Sequence, residues 1–247
     1  MDFINQFSAG ELLLLSWGNR LIRYFLVAGS AYLIFWKFFF VKFQHKFLYQ
    51  QRPEKKHIIR EVKFSVLSNL IFMLPSTILY NLRPYGISKL YFEISDYPIW
   101  WYALSFVAVF LLHDAYFYWT HRLMHHRKLY PIFHKVHHLS VSPTPWAAFA
   151  FHPLESIVES MIFVIIPFLI PVHWTVLITF TFFSLLMNVY GHLGFNLFSP
   201  KRRDRFPLSL LSHSTHHSWH HRYFTGNYGF YLKFWDKLMG TYKGELK

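Results

Sequence analysis

Apolar residues in this chain come in long runs separated by short polar stretches, and five runs are long enough to cross or enter a bilayer. A helix that spans the hydrocarbon core needs about 20 residues. The first run covers residues 21–41, with Arg23 and Lys37 near its ends, where long basic side chains reach the interface. The second, 64–82, is free of charge, and Pro75 predicts a kink in it. The third starts near Tyr97 and runs through IWWYALSFVAVFLL to His113 and Asp114. The fourth and fifth, 157–172 and 174–191, are parted only by the region Pro171, Val172 and His173, which predicts a helical hairpin. The fourth is short enough to be re-entrant.

The polar stretches set an orientation. Residues 42–63 carry seven Lys or Arg against two Glu and are expected on the cytoplasmic side. Counting crossings from there puts residues 84–96 on the far side. It returns residues 120–146, and the KRRDR run at 201–205, to the cytoplasmic face. The expected fold is all-α: a multi-span membrane helical bundle with a cytoplasmic helical cap. No long-period repeat or interdomain linker interrupts it. The chain therefore reads as a single membrane domain over 1–247, with N-terminal spans in 1–98 and the chemistry-bearing region in 99–247. The opening MDFINQFSAGELLLL has no basic stretch before its apolar run and does not read as a cleaved signal peptide.

Composition sharpens the class. Hydrophobic residues make up 53% and charged residues 15%, on the membrane side of the usual globular balance. Lys and Arg outnumber Asp and Glu by 25 to 12. Because the excess lies between the apolar runs and no nucleic-acid motif accompanies it, it reads as basic loops facing anionic lipid. The absence of cysteine excludes disulfides, thiolate metal sites and iron–sulfur clusters.

The candidate chemistry is in histidine. Three clusters share the cytoplasmic side: HDAYFYWTHRLMHH with His121 and His125, HKVHH with His134, His137 and His138, and HHSWHH with His217, His220 and His221. Residues three and four apart lie on one helix face, so each cluster is expected to aim its imidazoles at one point beside its helix. Eight such rings exceed what one tetrahedral zinc uses, and suit two metals drawn from iron, copper, nickel and zinc. The turn SLLMNVYGHLGF adds His192 and, four residues earlier, Asn188 as candidates at the end of the fifth run. His152 reads as a neighbour of the ligands, and the isolated His45, His57 and His173 read as having no part in the site.

HDAYFYWTHRLMHH, HKVHH and HHSWHHRYFTGNYGFYLKFWDKLMGT resemble the three histidine boxes of the fatty acid hydroxylase/sterol desaturase superfamily, over residues 100–245. The resemblance implies an integral-membrane, non-haem di-iron oxygenase acting on a lipid. It implies His121 and His125 as box-one ligands, His134, His137 and His138 as box two, and His217, His220 and His221 as box three. His192 takes the place of the ligand from the preceding helix, and Asn188 that of an asparagine used by some desaturases. His113 is left outside, and His213 and His216 are extra to the pattern. The implied cofactors are two iron ions and O2, and the implied partners are a membrane lipid and a separate electron-transfer protein, a b-type cytochrome or a ferredoxin with its reductase. The competing reading is a membrane metal transporter or metal-binding protein. Transporters place ligands near the bilayer midplane, whereas these clusters fall beyond the spans. A zinc hydrolase lacks its HExxH.

Overall fold

The computed structural model describes residues 8–246. Helix α1 (Ala9–Ala31) opens on a capping box: the Ser8 hydroxyl accepts from the Glu11 amide, and the Glu11 carboxylate accepts from the Ser8 amide at 2.8 Å. It runs on as a π-helical segment, Tyr32–Phe38. The apolar span is therefore Leu13–Phe38, starting earlier than the expected residue 21. This is a correction with a consequence, because Arg23 falls well inside the span instead of near its end.

Helices α2 (Lys55–Ile71) and α3 (Leu74–Leu82) form the second span, broken at Phe72 and Met73. Pro75 sits in the first turn of α3, where its missing amide costs least. Residues 55–63, expected in a loop, are helical. Glu61 turns inward there to accept from the Thr144 hydroxyl, so the basic side chains take the outer face.

Helix α4 (Ile99–Met124) is longer than the apolar run predicted and carries His121 on its last turn. Two short helices follow, α5 (Tyr130–Phe133) and α6 (Lys135–His138). Helices α7 (Pro153–Leu169) and α8 (Trp174–Gly191) make the expected hairpin. With 17 residues, α7 is about 25 Å long and falls short of the roughly 30 Å core. Helix α9 (Ser214–Tyr223) and the short α10 (Phe234–Leu238) close the chain. Among the described residues, four helices are long and apolar enough to cross a membrane: Leu13–Phe38, Lys55–Tyr85, Ile99–Met124 and Trp174–Gly191.

The far ends of these helices are tied together. Strand β1 (Leu90–Tyr91) pairs in parallel with β2 (Val172–His173), Leu90 opposite Val172 and Tyr91 opposite His173. The start of α4 joins them, the Trp101 indole donating to the Pro171 carbonyl at 3.0 Å. The histidines lie at the other ends of α4 and α8. Between the two ends Val109, Ile162, Ile166, Val176, Phe180 and Tyr231 form a dry core. Leu104, Val107 and Leu111 on α4, and Ile178, Phe182 and Leu186 on α8, stay exposed at helical spacing as lipid-facing stripes. A second core, with Trp36, Tyr49, Leu193 and Phe195, backs the histidine end. The Trp36 indole donates to the Leu193 carbonyl at 2.9 Å. Gly194 has φ +77°, and a Cβ there would stand 2.7 Å from the Tyr49 ring, so glycine is required.

Candidate metal centre

Nine imidazoles converge into two groups. His121, His125, His134, His138 and His220 form the first; His137, His192, His217 and His221 form the second. Within each group one ring nitrogen per residue lies within 4.8 Å of all the others. All nine rings are buried except His125, which is half-buried.

The grouping corrects the expectation that each cluster aims at one point. His134 and His138 go to the first group and His137 to the second; His217 and His221 go to the second and His220 to the first. Helical geometry explains the exchange. At about 100° per residue, position i+4 lies roughly 40° to one side of i, whereas i+3 lies roughly 60° to the other. The outer pair of each HxxHH therefore shares a target, and the middle ring points across to the neighbouring one.

The second nitrogen of most rings is committed to a protein acceptor. The Nδ1–H groups of His121, His220, His221 and His192 donate to the carbonyls of Tyr228, Gly226, Ser140 and Asn188, at 2.8, 2.8, 3.0 and 2.8 Å. His134 Nδ1 donates to a Glu155 oxygen at 2.6 Å. Each of these rings consequently presents a bare lone pair at Nε2. Those lone pairs face one another: His121 and His134 Nε2 are 3.0 Å apart, and His192 and His221 Nε2 are 3.2 Å apart. Two acceptors at such a distance repel unless a cation sits between them. Nitrogens about 2.1 Å from a shared cation lie about 3.0 Å apart at a right angle and about 3.4 Å apart at the tetrahedral angle. The Nε2 contacts within the two groups run from 3.0 to 3.4 Å. The donor set fits metal ions.

A proton is a poor substitute for that cation. Burial, and then neighbouring imidazoles, push His134, His137, His138, His217, His220 and His221 well below the ordinary histidine range. Burial takes His192 down to about 4, and burial with the adjacent His121 takes His125 down to about 2. At neutral pH the rings are uncharged and able to coordinate.

A family model described as fatty acid hydroxylase matches residues 106–241. Similar proteins include lathosterol oxidases of Mus musculus, 33% identical over 90% of this chain and 71% of that one, and of Homo sapiens, 31% identical over 94% and 75%. The chain belongs to the fatty acid hydroxylase family. A Delta(7)-sterol 5(6)-desaturase of Gibberella zeae is 29% identical over 99% of this chain and 72% of its own. No solved structure gives a significant match. As a member of this family with four helices able to cross a membrane, the protein is a multi-pass membrane oxidoreductase.

Other residues take supporting places. Asn188 lines a narrow cavity with His121, His137 and His192, and its amide nitrogen donates to the Ala148 carbonyl, so its oxygen alone could serve a cation. His152 caps α7, its Nδ1 accepting from the Leu154 amide. His173 caps α8 and bonds the Phe92 carbonyl, far from both groups. His213 bonds the Tyr190 hydroxyl and the Leu208 carbonyl. His216 bonds the Ser212 hydroxyl and lies 3.4 Å from Asp236.

The sequence reading gave no role to the acids that hold this frame. Glu155, three residues beyond the α7 cap, reaches His134. Asp114 accepts the amides of Tyr231 and Leu232, and Asp236 those of Tyr228 and Gly229. Together they fix the NYGFYLKFWD loop so that the Gly226 and Tyr228 carbonyls meet His220 and His121. Gly226, at φ +80°, would place a Cβ 2.4 Å from the Thr241 carbonyl oxygen, so only glycine can present that carbonyl.

Proposed function

We propose that this protein carries out the O2-dependent oxidation of an unactivated C–H bond in a membrane lipid at a histidine-ligated di-iron centre. His121, His125, His134, His138 and His220 would hold one iron; His137, His192, His217 and His221, with the Asn188 oxygen, would hold the other. The observation that carries this reading is the set of Nε2 atoms facing one another at 3.0–3.4 Å in two groups, five of them left with a bare lone pair by an acceptor at Nδ1. Five imidazoles in the first group are more than a tetrahedral zinc accepts, which favours a metal of higher coordination number such as iron. The sterol-oxidising relatives favour a sterol or a fatty acyl lipid as substrate, and desaturation over hydroxylation.

Bound iron would supply, with O2 and electrons, an oxidant strong enough to take hydrogen from an unactivated carbon. The chain's own residues do the rest. Glu155 and the carbonyls of Tyr228, Gly226, Ser140 and Asn188 keep the protons on Nδ1 of His134, His121, His220, His221 and His192, holding those five Nε2 atoms free and their rings in place. Phe117, Phe151 and Phe230 wall the narrow cavity beside the histidines and keep water from the reacting carbon. We read the histidine groups as cytoplasmic, on the charge of residues 42–63, with electrons delivered there by a separate b-type cytochrome or by a ferredoxin with its reductase. We read 1–247 as a single membrane domain.

Expression with such a donor, followed by whole-lipid mass spectrometry, tests the proposal. A lipid losing two hydrogens or gaining one oxygen is expected, with about two irons per chain by elemental analysis. His220→Ala should lose both the product and iron, whereas His173→Ala should keep iron. Full turnover by His220→Ala would sink the assignment.

A further inference from the structure

Three cavities abut in series between the helices. The narrow one beside the histidines, about 10 Å³, shares Phe117, Phe151, Asn188 and Phe230 with a second of about 60 Å³. The second shares Arg20, Phe163 and Thr181 with a third of about 250 Å³. That third cavity lies among α1, α3, α8 and β1, and it holds Arg20, Arg23 and Arg83 against walls such as Leu79, Leu177 and Trp174.

No carboxylate among the described residues lines it, and none forms an ion pair with any of the three arginines. Arg23 Nε is buried without a hydrogen-bond partner. Arg83 lies against the Phe92 ring, 4.6 Å from its centroid, which supplies no negative charge. Arg20 and Arg23 are three residues apart on α1, inside the span, so they share a face. Ile22 and Leu26 take the exposed side instead. Cations placed inside a span face the bundle interior and are balanced by a partner. The third cavity supplies no partner: Glu159 lines the second cavity with Arg20 and Asp96 lines a separate one with Arg83, and neither forms an ion pair with an arginine.

We propose that this cavity receives the anionic end of a lipid substrate, a carboxylate or phosphate, on Arg20 and Arg23. The rest of the molecule threads the two smaller cavities toward the histidines. Thr181, where the outer cavities meet, stands eleven residues before His192 on α8, about 16 Å along the axis. The carbon that reacts is therefore remote from the charged end. A free sterol, with a neutral hydroxyl as its polar group, leaves the arginines uncompensated; a fatty acyl carboxylate or a phospholipid does not. This assignment rests on the reading that oxidation occurs at the histidine groups.

The test uses the full chain in non-ionic detergent and displacement of a bound fluorescent fatty acid. Stearate should compete at least tenfold better than stearyl alcohol. Arg20→Gln with Arg23→Gln should erase that preference, and the paired lysine variants should retain most of it, at unfolding temperatures matching the parent. Phosphatidic acid competing better than stearate would assign the site to a phosphate head, and the reverse to a carboxylate. Equal competition by acid and alcohol, a preference that survives both glutamines, or inorganic phosphate competing as well as the lipids would each overturn the proposal. Displacement needs no turnover. A chain that keeps the acid preference yet oxidises nothing would refute the oxidase reading and leave this subsite standing.

Discussion

At His134 the Nδ1–H is held by a Glu155 oxygen at 2.6 Å, and the free lone pair on the opposite nitrogen follows from that bond. Replacing the carboxylate removes a fixed acceptor from a buried ring. Glu155→Ala is expected to weaken metal binding by about 10- to 100-fold, the usual cost of losing such a partner. Glu155→Gln, which keeps a carbonyl oxygen, should lose less. Chelator competition on the purified protein reads both. A residue-by-residue reading of the sequence reached the nine histidines because imidazoles at helical spacing have few other uses in such numbers. It did not reach Glu155, whose partner is 21 positions away. Nor could it reach the Tyr228 and Ser140 acceptors, which are main-chain atoms with no side-chain signature.

Among the elements, α6 and α9 each send rings to both groups, so neighbouring histidines should behave unlike each other. His138→Ala and His220→Ala fall in the same group, although 82 residues separate them, and their losses of metal affinity should be strongly non-additive. His138→Ala with His137→Ala, adjacent in the chain but in different groups, should show a smaller coupling than that pair. Double-mutant cycles on metal affinity decide it. The HxxHH spacing was legible as a ligand pattern, and its partition was not, because the aim of the middle ring depends on which neighbouring helix stands beside it. The spans show the same limit. Hydropathy located the four helices long and apolar enough to cross a membrane among its five candidate runs, whereas the start of α1 came from the bonds between Ser8 and Glu11, a polar signal that an apolar run conceals.

For the molecule as a whole, so many neutral rings in a dry site tie stability to acidity. Histidine in an unfolded chain titrates near pH 6.5. Above that value the rings are neutral in both states, and stability from this source is constant. Below it the unfolded chain takes up protons that the folded one refuses, down to about pH 4, where His192 begins to protonate in place. The thermal midpoint of metal-free protein should be level from pH 7 to 8 and fall steadily between 6.5 and 4. A midpoint that climbs on acidification would contradict the burial of these rings. The exchange of middle rings between α6 and α9 has one further outcome. An ion settling in either group immobilises both helices, and the ordering that the other group requires is then largely complete. Loading should be steep: titration of apoprotein with ferrous ion should show few molecules carrying a single ion, and chelation should strip both ions together.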